Sequence, residues 1–205
     1  MLKIENFAVT LQERRFMIID KMQVENGKKV LIFGDNEAGR TLLMKSIQGN
    51  FKHHTGTIHI KEKPLSYFKK RMSSILIENM PHLLPAESVW KNITLPLEKV
   101  TSRHKSRLLE LLNMAGLQEF SNTKVSKLSF SNHKIIELIR ASIQLPHLIL
   151  IDDIDNFFDE KRLIQALQIC DYATNTGTSL LATSKRKLDH FDQYYRIQDK
   201  KMVKL

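Results

Sequence analysis

A loop framed by two glycines, lying between a buried strand and a helix, is the feature of this sequence that most restricts its fold. The mostly apolar segment Lys29–Phe33 is typical of a strand inside a sheet, and Thr41–Gln48 has apolar residues at helical spacing. Between them the chain reads Gly34-Asp35-Asn36-Glu37-Ala38-Gly39-Arg40-Thr41. This is the pattern of a phosphate-binding loop, in which backbone N–H groups surround phosphate oxygens and the helix N-terminus adds positive potential.

A second buried strand is indicated by the all-apolar run Leu148–Ile151, which is followed directly by Asp152 and Asp153. Such a run suits a strand that is covered on both faces of a parallel sheet. A carboxylate at the carboxyl end of this strand would lie beside the phosphate-binding loop and hold Mg²⁺. Asp152 and the Thr41 hydroxyl are therefore the predicted metal ligands, and Asp153 is the candidate for polarising an attacking water.

Each pattern taken alone also fits a simpler structure, a turn without a ligand or a strand that ends in a capping aspartate. Their order in one chain, with strands alternating with helices, favours an α/β fold with a parallel core and a nucleotide site. Antiparallel signals are confined to the N-terminal third and to 194–205, which is predicted to form a hairpin.

The middle of the chain carries a third motif, because Leu128-Ser129-Phe130-Ser131-Asn132 precedes a predicted helix that contains Arg140-Ala141. With Pro146 placed just before the second buried strand, the chain resembles the nucleotide-binding domain of ABC transporters, which has L-S-G-G-Q at this position. The resemblance extends along essentially the whole chain. It implies one domain spanning 1–205, with a P-loop NTPase core around a parallel sheet, an N-terminal antiparallel β layer and a small helical lobe at roughly 80–142.

The resemblance also implies roles for residues outside the glycine loop. Glu78 takes the place of the family's Q-loop glutamine, and Ser184 takes the place of its switch histidine. Leu11 aligns roughly with the aromatic residue that stacks on adenine. Ser129 and Ser131 belong to the segment that contacts the nucleotide of a second cassette. The implied cofactors are ATP and Mg²⁺.

Several substitutions depart from the family pattern at positions that carry the chemistry. Arg40 stands where a lysine is usual, and its planar fork is larger than an ammonium group. Asp153 is one methylene shorter than the usual glutamate, which is enough to misplace a water molecule. Ser184 lacks an imidazole, and Phe130 and Ser131 replace two glycines. We therefore expect weak ATP binding and very slow or absent hydrolysis.

Composition limits the remaining choices. The chain has 205 residues, a net charge of +10 and one cysteine, Cys170, which excludes a disulfide framework. Cys170 falls on the apolar side of a predicted helix, so we expect it in the core. No stretch approaches the ~18 apolar residues of a membrane span, and the N-terminus lacks a signal-peptide h-region. The basic clusters are short and scattered, so we do not expect nucleic acid as a partner.

These observations lead to three functional hypotheses. The first is the cytoplasmic ATP-binding subunit of a membrane transporter, peripheral on the inner face of the membrane, where the positive charge meets anionic lipid. Its partners would be an integral membrane permease, docked in the groove near Glu78–Trp90, and a second cassette in a homodimer or heterodimer. The second is a catalytically inactive cassette that acts as a scaffold or regulatory subunit. The third is a nucleic-acid-associated ATPase of the same superfamily.

Overall fold

The computed structural model describes residues 2–11, 14–35, 37–68 and 73–205, and at positions 11, 14 and 15 it describes the backbone alone. The strands are β1 (Leu2–Leu11), β2 (Arg14–Val24), β3 (Lys29–Phe33), β4 (His54–Ile60), β5 (Lys63–Pro64), β6 (Ser74–Ile77), β7 (Leu148–Ile151), β8 (Ser179–Ser184), β9 (Gln193–Gln198) and β10 (Lys201–Lys204). The helices are α1 (Arg40–Gln48), α2 (Val89–Thr94), α3 (Ser102–Met114), α4 (Phe130–Ile143) and α5 (Glu160–Asn175). Within the described ranges, none of the helices has the length and apolarity needed to span a bilayer.

All of these strands belong to one mixed sheet, in the order β5-β4-β1-β2-β10-β9-β3-β8-β7-β6. The strands from β9 to β6 run parallel to their neighbours, whereas β1, β2, β4 and β5 pair antiparallel. Strand β10 joins the two parts, since it pairs antiparallel with β9 and parallel with β2. The predicted α/β class, with a parallel core and an N-terminal antiparallel layer, is confirmed.

The central strands send alternate side chains to two separate cores, as the period of a strand requires. Leu31 faces a core that contains residues of α2, α3, α4 and α5. Its neighbours Val30 and Ile32 face the other core, which contains residues of α1 and the antiparallel strands. Because both faces are covered, β3, β7 and β8 consist largely of fully buried apolar residues.

Helix α3 begins about one turn earlier than its apolar periodicity indicates, at Ser102 instead of Ser106. Thr101 caps it, with its hydroxyl accepting from the His104 N–H at 3.3 Å while His104 Nδ1 accepts from the Thr101 N–H at 3.3 Å. This reciprocal pair is a capping box, which stabilises a polar first turn. Because that turn contributes nothing to the core, the hydrophobic pattern alone does not reveal it.

The order of the parallel strands positions the candidate site. Strand β8 lies between β3 and β7, so the loops that follow β3 and β7 flank a single strand at the same edge of the sheet. The Gly34 N–H donates to the Ser184 carbonyl at 3.4 Å, which joins the glycine loop to the end of β8. The predicted neighbourhood of the loop and Asp152, with one intervening strand, is therefore present.

Candidate nucleotide-binding site

The glycine loop has the backbone geometry of an anion cradle. Glu37 and Gly39 both have positive φ values, 63° and 84°. Gly39 directly precedes α1 as its N-cap residue and, having no side chain, contributes no side-chain cap to that helix. Uncapped N–H groups at a helix N-terminus, next to left-handed residues, point toward one concave region that attracts anions. Asn36 lies outside the described residues.

The conformation of Gly39 depends on the absence of a side chain. Its φ of 84° is strained for any other residue, and a Cβ built there would lie 3.2 Å from the Cβ of Phe16. Phe16 and the loop together line a cavity of about 240 Å³, which Arg40, Thr41 and Asp153 also border. An aromatic ring therefore stands beside the loop at a position that the sequence did not single out. The side chain of Leu11, the predicted stacking residue, lies outside the described residues.

Thr41 and Asp152 come together as the metal hypothesis requires. Asp152 is buried at the end of β7, and Thr183 Oγ1 donates to its Oδ1 at 2.9 Å. Burial raises the pKa of Asp152, while hydrogen bonds from Thr41 and Thr183 oppose that rise. A hydroxyl next to a carboxylate offers two oxygen ligands, and Mg²⁺ is commonly held by one or two protein groups plus phosphates and waters. In the described part of the chain, no group of three or more His, Cys, Asp or Glu residues is placed to hold a metal ion.

Thr183 is a site residue that sequence reasoning missed. Its hydroxyl also accepts from the backbone N–H of Asp153 at 2.7 Å, and Asp153 has a left-handed φ of 52°. Thr183 thus holds both aspartates from the neighbouring strand β8. The signal in the sequence was its position at the carboxyl end of a predicted strand, and in the sheet this strand lies between β3 and β7.

Arg40 pairs directly with Asp153. Its Nε and one terminal nitrogen lie 3.0 and 2.9 Å from Asp153 Oδ1. The other terminal nitrogen donates to the carbonyl oxygens of Gly34 and Asp35, the latter at 2.6 Å. Arg40 is 5% exposed. The residue expected to meet the phosphates and the residue expected to activate water are therefore engaged with each other.

Ser184 and Glu78, the other predicted catalytic residues, have different surroundings. Ser184 is fully buried, and its hydroxyl donates to the carbonyl of Arg186, in the bend that follows β8. Glu78 lies near two basic side chains, with Lys45 Nζ at 3.4 Å and His82 Nε2 at 3.2 Å from its carboxylate oxygens. The negative charge at the Q-loop position is thus balanced within the chain, by a lysine one turn after Thr41 on α1.

The motif residues Ser129 and Ser131 lie at the beginning of α4. Ser129 caps this helix by accepting from the Asn132 N–H at 3.4 Å, and the two serine hydroxyls lie 3.2 Å apart. Phe130 is 45% exposed, with its ring 6.4 Å from that of Phe157. The helix begins at Phe130, inside the motif that was expected to precede it, because the Ser129 cap allows it to start there.

A buried ion pair on α4 was not anticipated from the sequence. Lys134 is fully buried, and its Nζ contacts Glu137 Oε2 at 2.8 Å and donates to the Glu78 carbonyl. Glu137 Oε1 accepts from the His82 backbone N–H at 2.6 Å, and Arg140 lies 3.6 Å from it. Burial lowers the pKa of Lys134, and Glu137 opposes that shift. These contacts, which we call the Q-loop clamp, attach the segment 78–82 to α4.

Cys170 is fully buried on α5, and burial raises the pKa of its thiol to about 12. A thiol in this environment stays protonated at neutral pH and is not nucleophilic. The prediction that it is a core residue is confirmed.

Comparisons with known proteins agree with this geometry. A family model described as ABC transporter matches residues 19–156. The uncharacterized ABC transporter ATP-binding protein YybJ of Bacillus subtilis (strain 168) is 27% identical over 194 residues, which cover 91% of this chain and 87% of that protein. The zinc import ATP-binding protein ZnuC of Wolbachia pipientis wMel is 28% identical over 153 residues, covering 74% and 59% of the two chains. A solved ATP-binding subunit of an ABC transporter superposes with a TM-score of 0.85 at 16% identity, over 100% of this chain and 90% of that one.

Proposed function

This chain belongs to the ABC transporter family, and we propose that it is the ATP-binding subunit of a membrane transport complex. The support comes from its own residues as well as from its relatives. The glycine loop ends at Gly39, which contributes no side-chain cap to the N-terminus of α1, and Thr41 and Asp152 lie together beside it. The whole chain, 1–205, would act as one cassette, with the helices between residues 80 and 142 as its helical lobe.

The ligand that these residues suit is a nucleotide with Mg²⁺. Backbone N–H groups of the loop would hold the α- and β-phosphates, while Thr41 and Asp152 would hold the metal ion. Mg²⁺ would supply charge neutralisation of the phosphates when bound. Phe16, which lines the cavity at the loop, offers an aromatic face to the base. Replacing Phe16 by alanine should weaken nucleotide binding about tenfold, because stacking on a base contributes about 1–3 kcal/mol, and Phe16→Trp should preserve it.

Hydrolysis by the isolated protein would be very slow or absent, and the pairing of Arg40 with Asp153 carries this part of the proposal. Asp153 cannot accept a hydrogen bond from water with the oxygen that it commits to Arg40. Ser184 donates its hydroxyl hydrogen to the backbone carbonyl of Arg186. Because the loss of one well-placed group costs about 10²–10³ in rate, several such losses leave little turnover even when they are not additive.

A steady-state assay with Mg²⁺ and ATP tests the proposed hydrolysis. We expect no turnover above background for the unmodified protein and a measurable rise for the triple variant Arg40→Lys, Asp153→Glu and Ser184→His. Turnover of about 1 s⁻¹, within the range of phosphoryl-transfer enzymes, that is lost in Asp152→Asn would contradict the inactive reading. Absent turnover combined with assembly into a membrane complex would favour the scaffold or regulatory role.

The partner would be an integral membrane subunit that contacts the loop ahead of α2. Met80 and Leu84 are 73% and 44% exposed, as expected for an apolar interface. The predicted docking stretch needs one correction, because Val89 is fully buried and Leu83 and Trp90 pack against the core. These three residues support the fold, so the interface is assigned to Met80 and Leu84. Docking there would place the protein on the cytoplasmic face of the membrane.

Co-purification with a co-expressed candidate membrane subunit tests the docking surface. The double variant Met80→Glu and Leu84→Glu should lose the membrane subunit while keeping the melting temperature of the unmodified chain. Ile164, which is 53% exposed on α5, provides the matched control. Equal recovery of the membrane subunit by Ile164→Glu and by the double variant would exclude this surface.

A second cassette would complete the nucleotide site, with Ser129 and Ser131 facing the nucleotide of the partner. The exposed position of Phe130 at the start of α4 supports contact with another chain. Light scattering with and without Mg²⁺–nucleotide, on the chain alone and mixed with a co-encoded cassette, distinguishes homodimer from heterodimer. A monomer under every condition, including in the membrane complex, would contradict pairing.

A further inference from the structure

The pair formed by Arg40 and Asp153 closes the region into which a third phosphate would extend, and the geometry points to a binding preference for nucleoside diphosphates over triphosphates. We call this pair the arginine latch. The preference concerns the same site as the proposed function and depends on that function only for nucleotide binding at the loop.

The location of the latch follows from which groups of such a loop contact which phosphates of a nucleotide. Backbone N–H groups hold the α- and β-phosphates, and the basic residue after the second glycine reaches the β- and γ-phosphates. In this chain, Arg40 contacts the carbonyls of Gly34 and Asp35 at the beginning of the loop and Asp153 beyond the end of β7. Its guanidinium thus extends from the loop to the edge of β7, where the γ-phosphate would lie next to Asp153.

All three guanidinium nitrogens already have protein acceptors. Nε and one terminal nitrogen contact Asp153, and the other terminal nitrogen donates to the two loop carbonyls. The side chains of Arg40 and Asp153 are only 6% and 14% exposed, so water screens their attraction weakly. Breaking a buried pair is costly because it leaves an uncompensated charge.

A third phosphate has to compete with Asp153 for Arg40, whereas a second phosphate does not. To recruit Arg40, the γ-phosphate must take the guanidinium from Asp153 and leave that carboxylate beside new negative charge. Like charges at short distance in a poorly screened site repel each other. A diphosphate gives up only the contact of the basic residue with its β-phosphate, because the loop amides and Thr41 can hold it while Arg40 stays paired with Asp153.

A lysine at position 40 would behave differently. Its ammonium is a compact point charge that reaches the loop carbonyls, but it lacks the planar fork that contacts Asp153 through two nitrogens. Arg40→Lys and Asp153→Asn should therefore open the same latch from its two sides. Because either change is sufficient, their effects on nucleotide preference should not add.

Isothermal titration calorimetry with Mg²⁺–ADP and Mg²⁺–ATP on the full chain tests the preference, with chromatography confirming that ATP stays intact. We expect ADP to bind about tenfold more tightly than ATP, because like charges placed next to each other are disfavoured. Arg40→Lys, Asp153→Asn and the double variant should each remove this difference to a similar extent. Asp155→Asn is the matched control, because it removes a charge from the same loop, where Asp155 accepts from the Lys185 N–H.

The outcomes separate the latch from the nucleotide site itself. Tighter binding of ATP than ADP by the unmodified protein would overturn the latch and leave the nucleotide site intact. Equal shifts in preference for Asp153→Asn and Asp155→Asn, or additive shifts in the double variant, would show a general charge effect and also overturn it. Absence of binding for both nucleotides would refute the latch and the proposed ATP-binding role together. Melting temperatures of each variant verify the fold, and Arg40→Lys provides the test if Asp153→Asn does not fold.

Discussion

Removing the carboxylate of Glu137 should destabilise the protein more than any exposed charge substitution does. In Glu137→Ala, Lys134 stays fully buried, and its ammonium keeps only the Glu78 carbonyl and the faces of the Phe130 and Phe157 rings among the described contacts. The His82 N–H loses its acceptor. A buried charge that loses its partner costs about 3–5 kcal/mol. Deprotonation of the lysine sets an upper limit, because moving from a pKa of about 10.4 to pH 7 costs about 4.6 kcal/mol at 1.36 kcal/mol per unit.

The expected loss is therefore about 3–4 kcal/mol, equivalent to a fall in melting temperature of about 10 °C for a chain of this size. Circular dichroism during heating and urea titration measures it. Glu98→Ala, at an exposed glutamate, is the control and should stay within about 0.5 kcal/mol. The double variant Lys134→Met and Glu137→Gln should recover at least half of the loss, since it removes the buried charge and keeps an acceptor for the His82 N–H.

The pH dependence provides a sharper test of the cause. Burial lowers the pKa of folded Lys134, so the unfolded chain binds more protons than the folded chain in the window between the folded pKa and about 10.4, and stability rises with pH there. Without Glu137 the pKa of Lys134 in the folded protein falls further, so this pH window extends to lower pH. The deficit of Glu137→Ala should thus shrink between pH 7 and pH 9.5. A deficit below about 1 kcal/mol, or one that does not change with pH, would refute the role of the Lys134 charge.

Three further predictions concern the site and the core. Asp152→Asn should raise the melting temperature at pH 7 by about 2–4 °C per kcal/mol gained, because the raised pKa of Asp152 means that its ionised form is disfavoured in the fold. The stability that this carboxyl contributes is present below its unfolded pKa and is lost as pH rises through its folded pKa. Calorimetry should also show that nucleotide binding by the variant no longer depends on Mg²⁺. Gly39→Ala should lower stability by more than about 1 kcal/mol and abolish nucleotide binding, whereas Gly49→Ala, which has a similar φ of 86° but nothing within 4 Å of the added Cβ, should lose stability and keep nucleotide binding. Cys170 should react with a thiol reagent only at the rate of unfolding, so a fast reaction of the folded protein would contradict its burial.

Short-range patterns were sufficient for most of the fold. The apolar runs at Lys29–Phe33 and Leu148–Ile151 predicted buried parallel strands, and both lie in the core of the sheet. The glycine spacing predicted a loop before α1, and the position of Asp152 after a buried strand predicted its approach to that loop. These features depend on periodicity and on strand direction, which neighbouring residues determine. Helix starts were less accurate, because capping side chains and not apolar residues decide where α3 and α4 begin.

The sequence by itself determined the type of fold, the phosphate-binding loop and the two aspartates, since each of these is a local pattern. Only the tertiary structure decided which charged side chains pair with each other and which apolar side chains are buried. Arg40 and Asp153 are 113 positions apart and become a buried pair where two loops meet at one sheet edge. Trp90 packs against the core and Met80 lies on the surface, although both are large and apolar. Ion pairs and burial depend on which surfaces the fold brings together. A sequence pattern does not show which residues distant in the chain become neighbours in space.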